Sequence, residues 1–181
     1  YQHIERFGTS EVDGIEIGVC YVFPKIDGTN SSVWLDEHGY LCAGSRTRKL
    51  TLEKDNAGFY SAIIKDDRIR AYLEKYPTHR LFGEWLVPHS LKTYRENAWR
   101  KFYIFDVCVD VDNETGLEYL PYNVYQPLLA EFDLDYLAPL KIIKNGDFNA
   151  FLACCDENNI LIKDGQGVGE GVVIKNYDFY N

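Results

Sequence analysis

Lys25-Ile26-Asp27-Gly28-Thr29-Asn30 comes one proline after an apolar run, Val19-Cys20-Tyr21-Val22-Phe23, and this junction decides how the rest of the chain is read. A lysine at the end of a buried strand, followed by an acid and a glycine turn, is a candidate covalent nucleophile. An ordinary lysine is protonated at neutral pH and cannot attack. Partial burial or a cationic neighbour lowers its pKa and frees the lone pair. A surface lysine before a Gly-Thr-Asn turn accounts for the same residues by local turn chemistry. The choice between the two lies downstream.

The 181 residues suffice for one sizeable domain, and 46% apolar with 15% aromatic residues suits a packed core. No apolar run has the length of a membrane span and no signal peptide opens the chain. The first residue is Tyr1 and there is no methionine, which predicts an original start that was processed, trimmed or omitted. Five cysteines (Cys20, Cys42, Cys108, Cys154 and Cys155) form an odd number without C-x-x-C spacing, as expected of reduced thiols in a cytoplasmic protein. The adjacent Cys154 and Cys155 read as packing within an apolar helix. His3, His38, His79 and His89 have no ligand spacing, which argues against a zinc site. A net charge of −9 runs against nucleic-acid binding, because phosphate neutralisation favours a basic face.

Residues 1–14 form an opening segment without a firm period, and 15–23 read as a strand ended by Pro24. Short β-type runs at 32–35 and 40–43 flank Asp36-Glu37-His38-Gly39, a hairpin signal. Residues 45–49 make a basic loop. The pattern over 56–76 is helical, with a break around Asp66-Asp67, and Pro77 ends it. Residues 80–87 and 101–111 are strand candidates joined by a polar segment. Asp110-x-Asp112-x-Glu114 invites a calcium-loop reading, but its glycine is one place late, so a hairpin turn is expected. Pro121 suits a helix start running to 132. A short strand at 139–144 precedes a helix at 147–156 with an aspartate cap. Gly165-Gln166-Gly167-Val168-Gly169 resembles a phosphate loop only loosely and leads into a strand at 170–175. The pattern predicts one mixed domain built on antiparallel sheets.

Four segments carry the functional reading together: Lys25 to Asn30, Leu81-Phe82-Gly83-Glu84-Trp85, Phe102-Tyr103-Ile104-Phe105-Asp106-Val107, and Glu170-Gly171-Val172-Val173-Ile174-Lys175. In this order and spacing they look like motifs I, III, IIIa and IV of the covalent nucleotidyltransferases, the polynucleotide ligases and mRNA-capping guanylyltransferases. Gly44-Ser45-Arg46-Thr47 resembles the ligase loop that follows motif I. The closest resemblance is to phage-type ATP-dependent RNA ligases of the nick-sealing branch, and it covers about residues 21–175.

The resemblance implies an α+β fold, a nucleotidyltransferase (ATP-grasp-like ligase) domain of antiparallel β-sheets flanked by helices and spanning 1–181. It implies ATP and Mg²⁺ or Mn²⁺ as cofactors, and RNA ends as partners, in a nicked duplex or an RNA/DNA hybrid. Lys25 would form lysyl-AMP, with Asp27 as its catalytic companion. Asp27 stands where some nick-sealing relatives have histidine. The nucleotide would be bound by Ile26, Arg46, Glu84 (ribose hydroxyls), Phe105 (stacked on adenine), Glu170 and Lys175, with Glu170 also on the metal. Asn30 and Arg46 would serve the polynucleotide. In a regular strand Lys175 and Glu170 face opposite ways, so both reach one nucleotide only across a bulge or twist. The family's closing motif of paired lysines is expected beyond Lys175 and is absent from these 181 residues. A DNA ligase, a capping-type guanylyltransferase and a degenerate nucleotide- or RNA-end-binding module are the alternatives.

Overall fold

The computed structural model describes residues 3–111 and 116–179, so the hairpin turn expected over 112–115 lies outside the described residues. In chain order the elements are β1 (Val19–Lys25), β2 (Thr29–Leu35), β3 (Leu41–Ser45), α1 (Phe59–Ile63), α2 (Asp67–Lys75) and β4 (His79–Trp85). They continue as β5 (Phe102–Asp110), β6 (Leu117–Tyr119), α3 (Tyr122–Glu131), β7 (Lys141–Lys144), α4 (Phe148–Glu157) and β8 (Gly171–Lys175). The chain forms two compact units: Tyr1–Asp27, Pro88–Trp99 and Leu137–Asn181 make one, Gly28–Val87 and Arg100–Tyr136 the other.

In the first unit β1 is the central strand of an antiparallel sheet of order β7-β1-β8. Side chains alternate across it. Cys20 and Val22 pack on Phe151 and Cys154 of α4 together with Ile143, Val172 and Ile174. Asp147 caps α4 as expected, accepting from the Ala150 amide at 2.9 Å. β1 does not stop at Pro24. The Val22 carbonyl accepts from Leu140 N at 2.7 Å, so Pro24, two residues on, faces the same edge beyond the end of β7. No ladder donor is missed there, and the strand runs on to Lys25. β8 likewise starts at Gly171, leaving Glu170 just outside it.

The second unit is a five-stranded antiparallel sheet, β3-β2-β4-β5-β6. The Asp36 carboxylate closes the expected β2–β3 hairpin by accepting from the amides of His38 and Tyr40, each at 2.9 Å. The helical pattern over 56–76 breaks where the sequence suggests. Asp66 caps α2, accepting from Arg68 N at 3.0 Å. Val33, Leu81, Ile104 and Val107 of the sheet pack against Phe59, Ile69, Tyr72, Leu73 and Leu129 of the helices. Each such side chain, once buried, contributes roughly 1.5–3 kcal/mol, which makes this the main apolar store of the unit. All five cysteines are free. Among the described residues no helix is long and apolar enough to cross a membrane.

Candidate active site

Lys25 ends β1, and its ladder partner on β8 is Gly171. Its Nζ lies 3.4 Å from Oε1 of Glu170, both side chains being near half exposed. Gly171 has φ +148°, a conformation other residues rarely adopt, and it breaks the alternation at the start of β8. Glu170 is thereby released to meet Lys25. Tyr21, Phe23 and Lys25 share one face of β1, and their partners Lys175, Val173 and Gly171 share it with them. Lys175 Nζ sits 4.3 Å from the Phe23 ring centre, a cation–π contact. Strict alternation, which sets Glu170 and Lys175 on opposite faces, therefore does not hold. The neighbour of Lys25 is also a carboxylate, where the sequence suggested burial or a cation.

Asp27 is buried, and its carboxylate is already engaged. Oδ1 lies 2.9 Å from His89 Nδ1 and Oδ2 accepts from Leu91 N at 2.6 Å. The Asp27 amide donates to the hydroxyl of Tyr94 at 2.9 Å. Tyr94 is fully buried, with Trp99 edge-on at 5.4 Å. Asp27 thus ties residues 89–94 to the end of β1, and the imidazole of His89 remains largely exposed. Ile26, between Lys25 and Asp27 in sequence, is buried.

In the second unit Asn30 and Glu84 are direct cross-strand partners on β2 and β4, and Glu84 is in turn paired with Tyr103. Side chains of directly opposed residues share a face, so the fold brings Asn30 and Glu84 together. Phe105 falls in a β-bulge, where the register shifts: Phe82 pairs with Asp106 but the next residue, Gly83, with Ile104. The Phe105 carbonyl is satisfied by the Tyr125 hydroxyl at 3.1 Å. A Cβ on Gly83 would stand 2.4 Å from Tyr103 O, so the bulge depends on that glycine. Bulges re-aim side chains, and Phe105 is half-buried and outside the core packed by the helices. Arg46 sits in the exposed loop after β3. Neighbouring Arg48 donates to the carbonyls of Lys54 and Asp55, whereas Arg46 makes no hydrogen bond or ion pair among the described residues.

No local pattern singles out Asn158, His89, Tyr94 or Tyr125, which hydrogen-bond to Lys25, Asp27 and Phe105. Asn158 Nδ2 donates to the carbonyls of Lys25 and Gly171, at 3.2 and 2.6 Å. Its only local signal is its place at the end of α4. Among the described residues no group of three or more His, Cys, Asp or Glu could hold a metal ion by itself. Glu170 offers one half-exposed carboxylate.

The family profile described as RNA ligase matches residues 19–179. Comparison with curated proteins yields no match. An archaeal ATP-dependent RNA ligase superposes with a TM-score of 0.72 at 18% identity, over 97% of this chain and 44% of that one. A Naegleria gruberi RNA ligase variant solved with ATP and Mn gives 0.72 at 17% identity, over 98% and 52%. The same ligase with PPi gives 0.69 at 19%, over 93% and 49%. The chain therefore spans about half the length of the solved structures it matches, and it shares their fold, antiparallel sheets with flanking helices. With the profile covering nearly all of its elements, the chain belongs to the RNA ligase family.

Proposed function

We propose that this chain is the nucleotidyltransferase domain, both units included, of an ATP-dependent RNA ligase that works through lysyl-AMP. The observation that carries the reading is Lys25 Nζ, 3.4 Å from Glu170 where β1 and β8 end, in a chain of this family. Lys25, as its free amine, attacks the α-phosphorus of ATP; the N–P bond forms, the bond to pyrophosphate breaks, and the nitrogen then releases one proton. The adenylyl group then passes to a 5′-phosphate end, and a 3′-hydroxyl displaces AMP. Such steps depend more on placement and charge stabilisation than on covalent assistance by the protein.

The residues present fit a metal that arrives with the nucleotide. Mg²⁺ is held by one or two carboxylates together with phosphate oxygens and water, and Glu170 supplies such a carboxylate. Bound Mg²⁺ or Mn²⁺ would neutralise charge on the phosphoryl oxygens. Glu84 takes the ribose hydroxyls in this reading, Phe105 the adenine face, and Ile26 and Lys175 the remaining nucleotide contacts. Asn30 and the unpaired guanidinium of Arg46 serve the polynucleotide, where a planar fork suits phosphate. Asp27, its carboxylate engaged by His89 and Leu91, is a positioning residue. RNA ends in a nicked duplex or RNA/DNA hybrid are the substrates, and the free thiols suit a cytoplasmic setting.

Intact mass spectrometry after incubation with ATP and Mg²⁺ tests the reading. One AMP adduct is expected, labile in mild acid, absent from Lys25→Ala and not replaced by a GMP adduct with GTP. No adduct on the wild-type chain overturns it. Sealing of DNA nicks in preference to RNA would keep the first step and overturn the substrate.

A further inference from the structure

The last turn of α4 leads into Asn158, which has no solvent exposure. Its two donated hydrogen bonds, to Lys25 O and Gly171 O, join the partners that close the β1–β8 ladder. One of those partners carries the lysine, and the other adjoins Glu170. The Asn158 carbonyl accepts from Gly169 N at 2.7 Å. A Cβ on Gly169 would lie 2.8 Å from Asn158 Nδ2. The glycine run at 165–169 thus ends packed against this amide. Asn158 Oδ1 is buried and has no hydrogen-bond partner among the described residues. A buried unpaired carbonyl is costly. An apolar side chain would avoid that cost but could not donate to both strand ends.

We propose that Asn158 is a positioning residue for the adenylylation step, a clamp that holds the ends of β1 and β8 so that Lys25 Nζ and Glu170 stay in register. Its kinetic consequence rests on the ligase function proposed above; its geometric consequence does not. A loosened clamp lets the carboxylate drift from Lys25, and an amine freed from its ion pair is the better nucleophile toward an indiscriminate reagent. Toward ATP, the loss of alignment has the opposite effect, because placement of reacting atoms governs the rate.

The test uses the full chain with Asn158→Leu and Gly169→Ala, the second pressing on the amide without removing it. Two quantities are read beside the thermal midpoint. The first is the single-turnover rate of AMP adduct formation at saturating ATP, with the ATP concentration giving half that rate. The second is competitive acetylation of Lys25 by acetic anhydride relative to exposed Lys65. Both variants are expected to lose about tenfold or more in the saturated rate, with half-saturating ATP changed by less than about threefold. Lys25 acetylation is expected to rise in Asn158→Leu, and not to rise further when Glu170→Ala is already present, the non-additivity of a shared interaction. Unchanged acetylation in folded variants overturns the clamp, as does an unchanged saturated rate in a chain that forms the adduct. A rate loss that only follows the thermal midpoint, without altered acetylation, also overturns it. If the wild-type chain forms no adduct yet the acetylation pattern appears, the ligase reading fails and the clamp stands. Should Asn158→Leu not fold, Gly169→Ala carries both measurements.

Discussion

Gly28 is required by what lies against its Cα, since its backbone angles are open to any residue. A Cβ there would stand 2.3 Å from the Trp85 carbonyl oxygen and 3.0 Å from Leu86 Cα. The residue looked like a turn glycine in the sequence, but it allows β2 to begin beside the end of β4, where Thr29 pairs with Trp85. Gly28→Ala must displace backbone, and overpacking of this kind costs about 1–3 kcal/mol. Urea denaturation should show that loss as a lower midpoint with an unchanged slope. An unchanged midpoint would mean the contact relaxes freely. Lys25 is similar in kind, for its stem is ordinary and its surroundings distinguish it: Glu170 opposite, and its own carbonyl held by Asn158.

At the scale of elements, the candidate residues of each unit stand where regular structure is interrupted. β5 bulges at Phe105, β8 begins on the unusual angles of Gly171, and β1 passes through a proline at a ladder end. The α2–β4 junction shows a different dependence. Tyr72 Oη and His79 Nδ1 lie 2.9 Å apart, with the Tyr76 ring stacked on His79 at 4.8 Å. Burial holds the His79 imidazole below its ordinary value of 6.5 and pushes the Tyr72 phenol up, so the pair persists as neutral imidazole and protonated phenol. The unfolded chain protonates His79 first as the pH falls. Stability is therefore full above about pH 6.5 and declines below it, until the folded imidazole also takes a proton. Urea midpoints measured from neutral to mildly acid pH should fall, and His79→Gln should flatten part of that fall. A profile identical in the variant would exclude the imidazole as its source.

For the whole molecule, a net charge of −9 must be reconciled with the polyanionic substrate proposed above. The loop after β3 concentrates Arg46, Arg48 and Lys49, and the internal hydrogen bonds of Arg48 leave Arg46 as the available guanidinium. RNA binding should then rest on few phosphate contacts and show a shallow salt dependence. Arg46→Ala should weaken binding across sequences and reduce the slope of log K against log salt by about one. Anisotropy titrations over a salt series measure this, and an unaltered slope would remove Arg46 from the phosphate contacts.

Most strands and helices and the order of the motifs could be read from the chain alone, because strand alternation, helical period, caps and turn residues are local properties. The β2–β3 hairpin, the Asp147 cap and the break in the helical pattern at Asp66-Asp67 were legible for that reason. Tertiary packing carried β1 across Pro24, freed Glu170 from the strand to face Lys25, and turned Asp27 to His89. It alone brought Asn158 to Lys25, a bond between residues 133 apart. Such contacts depend on how distant segments are packed, and a buried amide that bridges two strand ends carries no periodic or turn signature. The identity of the site's chemical groups was thus written locally, while their orientation and support arose from packing.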